Sequence, residues 1–217
     1  MWEIIKAGGP VMWPIIALSI TAAAIVVERL WSLQADRVSP SDLIDKIWKL
    51  VAAGQLNDKH IEVIAENSPL GRILAAGLAN RHRPREWVKE AIEDTGRHVA
   101  HELDRFLNLL GTIAAVSPLM GLLGTVIGII SAFNAITHDG VGDPKVLSGG
   151  IGQALITTAA GLMVAIPSLM GYRYLRGRVD ELIIAMEKQA IRLVQSLDTQ
   201  RATEPAAGEA RTPVAGA

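Results

Sequence analysis

Cysteine is absent from the 217 residues, so neither disulfides nor thiolate metal sites are available to this chain. Charge is absent from three long stretches, residues 8–27, 106–137 and 146–172, of 20, 32 and 27 residues. Each is long enough to cross a hydrocarbon core of ~30 Å at ~1.5 Å per helical residue. A proton relay inside a membrane normally needs a titratable side chain, and none of the three stretches supplies one. If the chain conducts protons, another polypeptide must bring the acid. Soluble-enzyme signatures are missing too. No G-x-x-x-x-G-K-[ST] phosphate loop occurs, which argues against ATP as an energy source. His98, His101 and Glu102 read H-x-x-H-E, which is not a zincin order, and no catalytic residue, metal or cofactor is expected.

What is present is an asymmetric layout of basic residues. Lys6 precedes the first stretch, twelve Lys and Arg lie from Arg29 to Arg105, Lys145 stands alone, and seven follow Tyr172. The positive-inside rule then places the N-terminus outside, with the 28–105 region and the C-terminal tail in the cytoplasm. The first stretch ends at Glu28-Arg29 without a small-residue cleavage site, so it is expected to be a retained anchor rather than a signal peptide. Trp13 and Trp31 are 18 residues apart, which suits two interfacial anchors.

These patterns predict an all-α integral membrane protein with three transmembrane helices. Residues 1–33 form the outer N-terminal segment and first span, 34–105 a cytoplasmic helical domain, and 106–137 the second span. A periplasmic turn follows at 138–145, then the third span at 146–172, a cytoplasmic helix at 173–198, and a disordered tail at 199–217. Within the helical domain, Ser41 opens an amphipathic run with Leu43, Ile44, Ile47, Trp48 and Val51 that Gly54 can close. Ser68-Pro69 offers an N-cap and first-turn proline for a helix with Leu70, Ile73, Leu74 and Leu78. Arg81, Arg83 and Arg85 around Pro84 suit solvation or phosphate headgroups better than nucleic acid.

From Pro84 no stop is visible before the turn at 138–145. Val88, Ile92, Thr95, Val99, Leu103, Phe106 and Leu110 step by four, three, four, four, three, four. Leu175, Val179, Leu182, Met186, Ala190, Leu193 and Leu197 repeat those steps. Such seams suit knobs-into-holes packing. The second and third spans should therefore continue into the cytoplasm as a long antiparallel helical pair.

The spans differ in character. The first presents Ile15, Ile16, Leu18, Ile20, Ile25 and Val26 and reads as a lipid-facing helix. The second carries Gly121, Gly124 and Gly128, and the third carries Gly161 among other glycines, at spacings that let backbones approach in lipid. Pro118 and Pro167 each remove a helical donor, freeing the carbonyls of Ala114 and Met163 and inviting kinks. A stripe of Gly150, Gln153, Thr157, Gly161, Ala165, Ser168 and Tyr172 runs down the third span, flanked by Thr158. Thr112, Ser117 and Thr125 add hydroxyls from the second. Each hydroxyl alone can simply bond its own backbone. Together with Gln153 they suggest a shared polar surface, because polar groups in hydrocarbon need partners.

The run LLGTIAAVSPLMGLLGTVIGIISAF (109–133), with GGIGQALITTAAGLMVAIPSLMGY (149–172), resembles the ExbB/TolQ/MotA proton-channel family. The anchor ending in VVERLWSL (26–33) is similar to ExbB and TolQ rather than MotA, which has an additional span. The resemblance implies an inner-membrane homo-oligomer, pentameric in this family, around an ExbD- or TolR-like single-span partner bearing a membrane aspartate. It implies proton-driven work on a TonB-like protein for uptake of iron chelates. A TolQ-like role in envelope integrity is the alternative within the family. By motif, Thr125 in GLLGT and Thr158 in ALITT match threonines lining the proton path, with Thr157 and Gln153 beside them. Gln153 departs from the family pattern, where a glutamate precedes ALI. Outside the family, a passive membrane scaffold is the competing reading.

Overall fold

The computed structural model describes residues 6–40, 46–47, 49–50, 57–139 and 144–203. Helices bounded within them are α1 (Met12–Ser32), α2 (Ala35–Val38), α3 (Asp58–Asn67), α4 (Pro69–Ala79), α5 (Arg85–Leu103), α6 (Leu107–Asp139) and α7 (Pro144–Thr203). No strand occurs among the described residues. Three helical stretches are long and apolar enough to cross a membrane, as the uncharged runs predict. Most of the amphipathic run opened by Ser41 lies outside the described residues.

Two compact units divide the chain. One comprises residues 1–31 and 105–177, the other residues 32–104 and 178–217. In the first, α6 and α7 pack antiparallel. Gly128 meets Gly150 and Ala154, Gly121 meets Thr157 and Thr158, and Gly111 meets the Tyr172 ring. Helix α1 runs parallel to α7, with Gly8 beside Ile156 and Gly171 beside Val26. Its Met12, Ile15, Ala22, Ile25 and Arg29 are buried while Trp13, Ile20, Val27 and Trp31 are exposed. So α1 is lipid-facing on one side only, and Ile15 and Ile25 belong to its packed face.

The second unit is built around an aliphatic core. Ser68 caps α4 as its sequence suggests, its Oγ accepting from the Gly71 N–H at 3.0 Å. Leu70, Ile73, Leu74 and Leu78 of α4 are buried, and a methyl at Gly77 would touch Ile92 and Leu193. Val88, Ile92, Val99 and Leu103 of α5 are buried, as are Val179, Leu182, Met186, Ala190, Leu193 and Leu197 of α7. Arg85 at one end of α5 pairs with Asp198 at 3.2 Å, which fixes the antiparallel sense of this pair. Arg81 and Arg83 also have protein partners: Arg81 donates to the Leu78 carbonyl at 3.0 Å, and Arg83 lies 5.7 Å from the Trp87 ring.

Three expectations need correction. The helix from Pro84 does not run unbroken, because turns at residues 104–106 separate α5 from α6. Phe106 adopts φ +65°, and its ring is 42% exposed instead of filling the seam, where Leu107 and Leu110 are buried. Helix α6 reaches Asp139 and α7 begins at Pro144, so both helices extend into the stretch 138–145 expected as a turn. At the other end α7 continues to Thr203, so residues 199–203 are helical rather than part of a disordered tail.

Candidate functional site

Glycine decides how closely α6 and α7 approach. A methyl at Gly161 would lie 2.6 Å from the Ser117 carbonyl oxygen and 3.1 Å from the Gly121 Cα. One at Gly150 would lie 2.6 Å from the Ala132 Cβ, one at Gly128 would lie 2.9 Å from the Gly150 oxygen, and one at Gly124 would overlap Thr157. Without such groups the two backbones come into direct contact, which is the route to association where lipid removes the hydrophobic drive. Pro118 and Pro167 both lie inside uninterrupted helices.

This contact sorts the polar residues. Thr157 is fully buried against Gly124, and its Oγ1 donates to the carbonyls of Gln153 at 3.1 Å and Ala154 at 2.9 Å. Ser117, also fully buried, donates to the Ile113 carbonyl at 2.7 Å, and Ser168 donates to that of Val164 at 2.7 Å. Thr112 and Thr125 donate to Asn108 at 2.8 Å and Leu122 at 2.6 Å. Each hydroxyl satisfies itself within its own helix.

Thr158 differs. Its Oγ1 donates across the pair to the Gly121 carbonyl at 3.2 Å. In an α-helix that carbonyl also accepts the N–H four residues on, which belongs to Thr125. The structure thus brings Thr158 to the turn that carries Thr125, and both are half-buried. Thr125 also lines a groove of about 410 Å³ whose remaining walls are Ile129, Ala132, Phe133, Ile151, Ala154 and Leu155. Thr157 is not on this exposed side; it is enclosed by the helix contact.

Gln153 also leaves the predicted stripe. Ala154, not Gln153, occupies the α6-facing position between Gly150 and Thr157. The Gln153 amide instead lies against Gly9, which has φ +69° and where any Cβ would overlap it. Two further features escape sequence reasoning. One is this Gly9–Gln153 contact, for which a glycine before the anchor is the only signal. The other is a buried Arg29, 6% exposed, paired with Glu28 at 2.8 Å.

Among the described residues, no group of three His, Asp or Glu side chains is placed to hold a metal. The arrangement defines an α-helical integral membrane protein whose spans are uncharged and whose tightest helix contact is studded with hydroxyls. Residues 65–188 match the MotA/TolQ/ExbB proton channel family. A putative biopolymer transport protein ExbB-like 1 from Synechocystis is 37% identical over 171 residues, which is 77% of this chain and 67% of that protein. A putative biopolymer transport protein ExbB homolog from Methanothermobacter thermautotrophicus is 33% identical over 186 residues, covering 85% and 66%. Biopolymer transport protein exbB1 of Vibrio cholerae is 30% identical over 185 residues, covering 82% and 80%. The chain spans about two thirds of the length of the first two relatives. It belongs to the MotA/TolQ/ExbB proton channel family.

Proposed function

We propose that this chain is the ring-forming subunit of an inner-membrane proton channel that converts proton motive force into work. In this reading the copies, five by family resemblance, enclose the span of an ExbD- or TolR-like partner whose aspartate carries the proton. Thr125 and Thr158 of each copy line the route, with Gln153 beside them and Thr157 holding the helix pair behind it. The observation that carries the reading is the Thr158–Gly121 bond. This hydroxyl contact crosses the glycine-packed pair, and it does so beside Thr125. One charge crossing ~100 mV releases about 2.3 kcal/mol, an adequate driving force for such a motor.

The work is delivered to a TonB-like protein for outer-membrane uptake of iron chelates, with the N-terminus periplasmic and the C-terminus cytoplasmic. A TolQ-like role in envelope integrity follows the same mechanism with a different client. Growth under iron starvation separates the first from detergent sensitivity, which marks the second. Self-association has support in the second unit. A groove of about 510 Å³ runs between α5 and α7 there, with Ile92, Gly96, Ala100, Met186 and Ala190 among its lining, and Ile184 and Ile191 are exposed on α7.

The test is Thr158→Val. Energised uptake should fall at least tenfold while the oligomer still purifies together with a single-span, aspartate-bearing protein. Wild-type uptake by this variant removes Thr158 from the path. Purification of a stable complex with no such partner removes the relay. The hydroxyls that bond their own helices favour a second reading, a passive scaffold in which polar groups only stabilise packing. A scaffold keeps its function when the proton gradient is collapsed; a motor does not.

A further inference from the structure

Several hydroxyls of the membrane unit share one habit, from which two threonines depart. Thr21, Thr112, Ser117 and Ser168 each donate to the carbonyl four residues back, those of Ala17, Asn108, Ile113 and Val164, at 2.7–2.9 Å. By that habit Thr158 would take the Ala154 carbonyl and Thr125 that of Gly121. Neither does. The Thr158 Oγ1 donates to Gly121 at 3.2 Å, and the Thr125 Oγ1 donates to Leu122, three residues back, at 2.6 Å.

Occupancy of the acceptors accounts for both departures. A carbonyl oxygen has two lone pairs to offer. In α7 the Ala154 oxygen accepts the Thr158 N–H. The Thr157 hydroxyl shares its proton between that same oxygen, at 2.9 Å, and the Gln153 oxygen, at 3.1 Å. Ala154 is thereby filled, and the Thr158 hydroxyl turns across to α6. There the Gly121 oxygen accepts the Thr125 N–H and is filled in turn by Thr158. Leu122 is what remains for Thr125. Thr157 itself is fixed, fully buried with its side chain in the space that a Cβ at Gly124 would overlap.

We propose that Thr157 is a positioning residue: by occupying the Ala154 carbonyl it sets the Thr158 hydroxyl on Gly121 and, through that bond, the Thr125 hydroxyl on Leu122. Three hydroxyls on two helices thus form one ordered series that starts at the enclosed threonine. Without the Thr157 hydroxyl, Thr158 falls back on the Ala154 oxygen of its own helix and withdraws from the seam between α6 and α7. Thr125 then returns to Gly121. The consequence for proton flow rests on the reading that Thr125 and Thr158 line the route; the order of acceptors does not.

The experiment compares Thr157→Val, which keeps the shape against Gly124, with Thr157→Ser, which keeps the hydroxyl. The full chain, labelled at its threonine methyls, is placed in lipid nanodiscs, and the χ1 angles of Thr125 and Thr158 are read by NMR from methyl couplings. Energised uptake is measured in cells carrying the same variants. In Thr157→Val both angles should turn, and uptake should fall about fivefold, the factor that one hydrogen bond of ordinary strength carries. Thr157→Ser should restore the wild-type angles and most of the uptake. Ser168→Ala, which removes a hydroxyl outside the series, should move neither angle. Should Thr157→Val fail to assemble, Thr157→Ala is expected to give the same shifts. An unchanged χ1 at Thr158 in the hydroxyl-free variants overturns the proposal, and a Thr158 that turns while Thr125 does not overturns its second step. A merely structural loss lowers uptake without turning either threonine. Turned angles with full uptake overturn the positioning role when Thr158→Val is inactive. Full uptake in Thr158→Val as well counts against the route itself and leaves the order of acceptors standing.

Discussion

Helix α7 belongs to both units, and its two halves solve the same packing problem with opposite side chains. In the membrane unit the packed face reads Gly150, Ala154, Thr157, Gly161, Ala165 and Ser168; in the other it reads Val179, Leu182, Met186, Ala190, Leu193 and Leu197. The period is the same. The residue size changes at about Leu175, as a passage of α7 from lipid to water, which we propose there, would require. In water, burying a leucine removes apolar surface from solvent and is itself stabilising. In lipid that term vanishes, and what remains is dispersion from close backbone contact, which large side chains prevent.

The largest expected effect tests the water-driven half. Leu193→Ala removes a fully buried side chain that adjoins Gly77, and should destabilise the second unit by about 2–5 kcal/mol. Amide exchange should quicken across α4 and α5 and hardly change in α6. Gly161→Val attacks the other half by forcing a branched side chain onto the Ser117 carbonyl. A cost of about 1–3 kcal/mol is expected, read as lower thermal stability in detergent and faster exchange in α6. The reciprocal change sharpens the contrast. Exchange at α4 unaffected by Gly161→Val would establish that the halves answer to different forces; equal loosening in both units would erase the distinction.

Smaller effects belong to the polar details of the second unit. Ser68→Ala deletes the cap of α4 and leaves the Gly71 N–H unsatisfied, costing about 1 kcal/mol by denaturant titration. Arg72 forms a two-pronged ion pair with Glu102, and that hydrogen-bonded pairing raises the Arg72 pKa above the usual guanidinium value. A raised pKa in the folded state contributes stability at every pH below the unfolded value, lost only as pH rises through the folded one. Arg72→Gln should therefore cost under about 1 kcal/mol, since the pair is part-exposed, and the cost should stay flat with respect to Arg72 ionisation between pH 7 and 10. A cost that falls steadily across that range would point to a different titrating group.

Much of this architecture is written in patterns that act locally. Uncharged length marks the spans, four-three steps mark the seams, and Ser68-Pro69 marks a helix start. The break at residues 104–106 has no such mark. Leu103, Phe106 and Leu110 continue the helical period, and no glycine or proline interrupts Asp104-Arg105-Phe106. What sets Phe106 aside is its position beside two guanidiniums, one of them on a helix and 77 residues earlier in the chain. The position of Gln153 is hidden from sequence for a related reason. Residues 153 and 154 both lie one turn from 157 or 150, so periodicity admits either at the contact. Alanine fits against glycine-lined α6, and Gly9 offers the longer amide a place elsewhere. The same limit applies to Thr157 and Thr158. Adjacent threonines look alike in sequence, and only the partner helix encloses one and reaches the other.

The glycine ahead of α1 has a consequence for how the chain begins. Because no side chain larger than hydrogen fits beside the amide of residue 153, the leading segment and the third span must change together or not at all. With glutamine rather than an acid in that seat, the mooring is electrically neutral, so it holds equally on an acidified and an alkaline side of the membrane.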